Sequence, residues 1–90
     1  MTGMLAFSKA GHDRKTLYVI VSEDENNVYL CDGRLRTTEH PKKKNKKHIQ
    51  PVKNGCGDLV GQKLRQGLPV RNEEIKRAIK EYQMQGGRNV

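Results

Sequence analysis

Short apolar stretches separated by turn-forming residues run through the first half of the chain. Residues 4–9, MLAFSK, predict a first strand. Gly11 follows it, free to take a positive φ in a charged connection. Leu17 to Val21 is continuously apolar and rich in β-branched residues, the pattern of a strand buried for most of its length. Residues 23–27, EDENN, form an acidic turn that ends in asparagine, and VYLC at 28–31 is a third strand. Asp32-Gly33 is the strongest hairpin signal, because both central positions of a type I′ turn need φ above zero. Residues 34–39, RLRTTE, alternate as a half-exposed fourth strand would, and Pro41 ends it because proline cannot donate to a ladder. Ile49 and Val52 supply the apolar return of a last strand. Strands spaced about ten residues apart point to a small barrel or curled sheet rather than to a βαβ fold.

Beyond Gly55 and Gly57 the period changes, which divides the chain into a barrel over residues 1–55 and a helical extension over 56–90. Residues 58–66 predict a short helix with Leu59, Val60 and Leu64 inward. Asn72 is the expected N-cap of a longer helix, with Glu73 and Glu74 in its positive first turn. Ile75, Ala78, Ile79 and Tyr82 make one apolar stripe, and Gly86-Gly87 ends the helix. A helix of about 14 residues is marginal alone in water, so it is expected to pack on the barrel. The fold class is therefore mainly β with a C-terminal helix: four to five strands, with one or two helices packed on them.

Charge adds a partner to this picture. The chain of 90 residues carries a formal charge of +8. Between Arg34 and Lys53 eight cations face one carboxylate, Glu39, so nearly all the excess lies in one segment. Such concentration implies a polyanion. Five lysines occupy positions 42–47. Lysine is a point charge on a flexible stem and suits phosphates better than base edges. The run is expected to be a mobile loop between two strands, with Asn45 at its tip, and Arg34 and Arg36 add charge on the neighbouring strand.

Other chemistries find little support. Cys31 and Cys56 form no CxxC pair and match no zinc spacing, so they read as reduced thiols. No nucleophile motif or phosphate-cradling glycine loop is present, and the acidic residues 23–25 read as solvated surface. The expectation is a non-enzyme without cofactor or metal. His12, His40 and His48 are dispersed, Tyr18 reads as core, and Tyr29 is the tyrosine free to face out. There is no RNP-type aromatic run. Without a signal-peptide pattern or about 20 consecutive apolar residues, the chain is expected to be soluble and cytoplasmic.

The run AFSKAGHDRKTLYVIVSEDENNVYLCDGR resembles a KOW module, and its continuation LRTTEHPKKKNKKHIQPVK is similar to the small KOW-domain RNA-binding proteins of bacteria. These in turn resemble KOW-bearing large-subunit ribosomal proteins of archaea and eukaryotes. The resemblance covers roughly residues 4–53. It implies an SH3-like β-barrel that binds RNA, often ribosomal RNA, through loops and basic edges. It makes Gly11 the turn glycine, with Asp32 and Gly33 as a second structural turn. It makes His12, Arg14 and Lys15 loop contacts beside Lys9. Arg34, Arg36, Lys42, Lys43, Lys44, Lys46, Lys47 and His48 extend the basic face. Many KOW sequences carry a second glycine soon after the first, and HDRKT has none.

The leading expectation is a module that is monomeric when free and binds ribosomal RNA, in contact with ribosomal proteins where they adjoin it. The alternative is a protein-interaction module docking on a ribosomal or transcription partner through the barrel or the helix stripe. Duplex DNA shares the electrostatics but calls for a recognition helix, on which Lys76, Arg77 and Lys80 could touch only phosphate. Membrane attachment has neither a lipidation signal nor an apolar face beside the basic run.

Overall fold

The computed structural model describes residues 1–9, 16–52 and 59–85. Gly11, His12, Arg14, Lys15, Cys56 and the glycine pairs at 55/57 and 86/87 lie outside them. The chain runs through β1 (Leu5–Ser8), β2 (Leu17–Glu23), β3 (Asn27–Cys31), β4 (Lys42–Asn45), a 3₁₀ turn (Lys46–His48) and β5 (Ile49–Val52). Two helices follow, α1 (Leu59–Arg65) and α2 (Asn72–Gln85). The strands form one antiparallel sheet in the order β4-β3-β2-β1-β5.

The continuous apolar run of β2 is explained by burial on both faces. Leu17 and Val19 join Leu5 and Cys31, where Val60 of α1 and Ile75 and Ala78 of α2 close the cluster. Tyr18 and Ile20 point the other way and pack with Ala6, Val28, Leu30 and Ile49. Phe7, Ile79 and Tyr82 flank the first cluster, so the α2 stripe packs on the protein's own sheet. Sheet and helices thus share one core across the 55/56 division. The register slips between Ile20 and Ser22, a bulge that bends β2 where it leaves the core. Asp24 closes the predicted turn, its Oδ1 accepting from the N–H groups of Asn26 (3.0 Å) and Asn27 (2.8 Å).

Residues 34–39 are not the fourth strand. Asp32 Oδ1 accepts from the backbone N–H of Arg34 (2.8 Å) and Arg36 (2.9 Å), and Arg36 O accepts from Asp32 N and Gly33 N. A side chain that captures neighbouring N–H groups competes with a ladder. The one apolar residue of the segment, Leu35, is 89% exposed, so a strand there would bury nothing. Asp32-Gly33 therefore opens a closed loop instead of a two-residue hairpin, although Gly33 does take φ +80°.

The fourth strand is the lysine run itself. Lys42 pairs with Leu30, Lys43 with Tyr29, Lys44 with Val28 and Asn45 with Asn27. Pro41 precedes a strand rather than ending one. Asn45 is not a mobile tip: its Oδ1 accepts from Lys47 N at 2.9 Å and caps the 3₁₀ turn.

The helix starts also differ from expectation. Arg71 O accepts from Ile75 N, which makes Arg71 the capping residue of α2 in place of Asn72. Glu74 Oε2 returns a bond to Arg71 N (2.9 Å), and its Oε1 takes Lys63 Nζ of α1 at 2.7 Å. Asn72 has a longer reach, its Oδ1 accepting from Thr38 N at 2.9 Å and so tying the 32–40 loop to the helix. Leu59 is 68% exposed, because Val60 and Gly61, next to it on the helix, take the inward face. The α1 terminus is a Schellman turn: Gly67 N donates to Leu64 O and Leu68 N to Lys63 O, with Gly67 at φ +74°.

Candidate nucleic-acid interface

A strand built from lysines points alternate side chains to opposite faces. Lys42 and Lys44 share the face of Leu30 and Val28 and are half-buried, so their stems cover apolar surface. The Lys42 ammonium lies 5.9 Å from the centre of the Tyr18 ring. Lys43 shares the other face with Tyr29 and is exposed. The run is thus a two-sided edge rather than a single comb of charge.

The residues around it extend that edge at both ends. The 32–41 connection leaves Cys31 and returns to Lys42, so Arg34 and Arg36, both exposed, lie at the Lys42 end. Lys46, Lys47 and His48 lie at the other end, and Lys9 joins them through its backbone N–H, which donates to His48 O at 2.8 Å. Four residues of strand separate the two groups by about 10 Å. The structure places Lys43 in β4, Arg34 and Arg36 in the loop before it, and Lys47 and His48 in the turn after it, with Lys9 bonded to His48 through its backbone. It does not describe His12, Arg14, Lys15 or the glycine expected to turn them, Gly11.

One lysine of the run is neutralised. Lys46 Nζ lies 3.1 Å from Glu23 Oε1, and Glu23 Oε2 takes the N-terminal ammonium of Met1 (2.8 Å) together with Thr2 N (2.9 Å). The terminal ammonium, the Thr2 N–H and Lys46 pull the Glu23 carboxyl down from 4.5 to about 2. A carboxyl lowered in the folded state stabilises the fold above its unfolded value, and that stabilisation disappears as pH falls through the folded one. Glu23→Gln should therefore destabilise the protein at pH 7. The loss should be about 1 kcal/mol or less for these partly exposed pairs, and the gap should close between pH 4.5 and about 2. Thermal melts of both proteins across that range check it. A gap as large at pH 2 as at pH 7 would assign the effect to packing.

Aromatic faces for base stacking are scarce. Tyr18 is buried, and Tyr82 packs against the helix-side cluster. Tyr29 is half-exposed opposite Lys43, with its hydroxyl donating to Asp24 Oδ2 at 2.9 Å. That bond raises the Tyr29 pKa, while Asp24 is lowered mainly by the Asn27 N–H. Cys31 has no comparable chemistry. Burial pushes its thiol up to about 11, and Sγ donates to Thr37 O at 3.2 Å. Among the described residues no three His, Cys, Asp or Glu side chains converge as metal ligands, and no helix is long and apolar enough to cross a membrane.

Two cations that the sequence offers only as incidental phosphate contacts, Lys76 and Lys80 of α2, line a cleft with Arg34. Positions more than 40 residues apart leave no local sequence signal of that meeting. No protein-family model matches the chain, and a search of curated proteins finds no match.

Proposed function

We propose that the chain is a non-enzymatic, KOW-type RNA-binding module of SH3-like barrel form that associates with ribosomal RNA in the cytoplasm and grips mainly phosphate. The observation that carries the reading is the ordered strand β4. Lysines held in a ladder, with arginines at one end and Lys9, Lys47 and His48 at the other, lose less conformational entropy on meeting a polyanion than a free loop would. Support for a barrel comes from the second apolar cluster. Ile49 of β5 is buried with Val28 and Leu30 of β3 although β2 and β1 lie between those strands in the sheet, and no helix residue enters that cluster. A flat sheet keeps such residues far apart, whereas a coiled one closes them on each other.

Phosphate contact favours shape over sequence, so structured RNA is the expected partner. The competing docking role for the α2 stripe has little surface left, since Ile75 and Ala78 are 0% and 5% exposed. Replacing Arg34, Arg36, Lys43 and Lys47 with glutamine should weaken binding to a structured RNA about a hundredfold to a thousandfold near 0.1 M salt. The slope of log K on log salt should fall by about 0.7–0.9 for each phosphate that the variant no longer neutralises. Lys63→Gln, whose ammonium is held by Glu74, serves as the comparison and should change little. Titrations at several salt concentrations, with duplex DNA in parallel, measure this. Unchanged RNA affinity in the fourfold variant would sink the proposal.

A further inference from the structure

The helical segment carries cations of its own, and their placement is not random. Along α2, Glu74 is engaged by Lys63, and Arg77 has Glu73 and Glu81 one turn away on either side. Lys80 has Lys76 and Arg77 one turn before it and no carboxylate one turn away, while Lys76 has both Glu73 and Lys80 there. The like-charge spacing of Lys76 and Lys80 costs a helix a few tenths of a kcal/mol. Both are exposed, and both line a cleft of about 510 Å³ with Arg34, Asp32, Thr16 and Gln83. Among the described residues, Arg34, Lys76 and Lys80 form no ion pair. The cleft's carboxylate, Asp32, is turned to its own loop, with Oδ1 taking the N–H groups of Arg34 and Arg36.

The cleft is also built. Gly33 lies so close to the helix that a Cβ there would meet Lys76 Cγ at 2.7 Å, so the Lys76 stem rests on the loop that carries Arg34. Thr38 N bonds Asn72 Oδ1 and holds loop and helix together. Three cations, a hydroxyl and an amide line this open cleft beside the apolar Leu17 and Ile79, and its volume has room for a phosphate group.

We infer that this cleft is a second phosphate-binding site, through which the helical segment holds the same polyanion as β4. The site itself stands on its own geometry, whereas RNA as the source of the phosphate rests on the proposed RNA-binding function. Two probes separate them: inorganic tripolyphosphate and a structured RNA hairpin, each titrated into the isotope-labelled full chain and followed by amide chemical shifts. Both should move Gly33, Arg34, Lys76 and Lys80, and the movement should vanish in K76Q/K80Q and shrink in R34Q. In K76Q/K80Q the RNA salt slope should fall by about 1.4–1.8 if both lysines touch phosphate. A response to tripolyphosphate without RNA binding keeps the site, makes a free phosphate compound its ligand, and defeats the RNA reading. RNA binding with shifts confined to β4 and a slope unchanged in K76Q/K80Q overturns the site while the RNA reading stands. No response to either probe overturns it as well.

Discussion

Ile75→Ala should lower the unfolding free energy by about 2–5 kcal/mol, the usual cost of emptying a fully enclosed aliphatic site. In a domain of this size that is roughly 10–30 °C in Tm, enough to leave much of the protein unfolded near 37 °C. The size of the effect follows from where Ile75 sits. It is 0% exposed and packs in one cluster with Leu5 of β1, Leu17 and Val19 of β2, Cys31 of β3 and Val60 of α1. A cavity there loosens every element that meets the helix. Ile79→Ala, at the margin of the same cluster, should cost distinctly less. Melts followed by far-ultraviolet circular dichroism and by tyrosine fluorescence should shift together. If only the helical signal melted early and the sheet kept its wild-type Tm, α2 would be an appendage and the shared core would be wrong.

Gly33→Ala should be the most damaging single change outside the apolar clusters. At φ +80° a side chain costs roughly 1–2 kcal/mol for the backbone alone. Contact adds to this, because the new Cβ would stand 2.5 Å from Asn72 O, a backbone atom at the start of α2 that cannot swing aside. Either the loop retreats or the helix start shifts, and the bond from Thr38 N to Asn72 Oδ1 breaks in both cases. Gly33→Asn separates the two contributions, since asparagine tolerates the left-handed region. A milder effect for asparagine would assign the cost to the backbone, and an equal or larger one to the contact. Thermal melts with hydrogen exchange at Thr38 read both, and an alanine variant melting within a degree or two of wild type would refute the close approach.

Sequence reasoning succeeds here where one element carries its own signal. The run from Leu17 to Val21 reads as a strand buried for most of its length, which it is, and the spacing of Ile75, Ala78, Ile79 and Tyr82 names the face of α2 that packs inward. It fails where the outcome depends on a distant partner. RLRTTE alternates better than KKKN, yet KKKN is the strand: Val28 and Leu30 of β3 offer a ladder and an apolar face for lysine stems, while Asp32 folds the first segment onto itself. Strand preference is largely a property of such surroundings. Asn72 has the chemistry of a cap, and it spends that chemistry on Thr38, 34 residues away. The candidate surface shows the same limit. Its charge is countable along the chain, but the pairing of Lys46 with Glu23 and the meeting of Arg34 with Lys76 and Lys80 arise only on folding.

The lysines of β4 have a consequence for solubility as well. Among the described strands, β4 and β5 end the sheet, and the end of a sheet is where a neighbouring molecule can add its own backbone. Crowded ammonium groups repel such an arrival along one margin, and Pro51 withholds a donor along the other. The charges that would meet a polyanion under the proposed function thus also oppose edge-to-edge stacking of one copy on another.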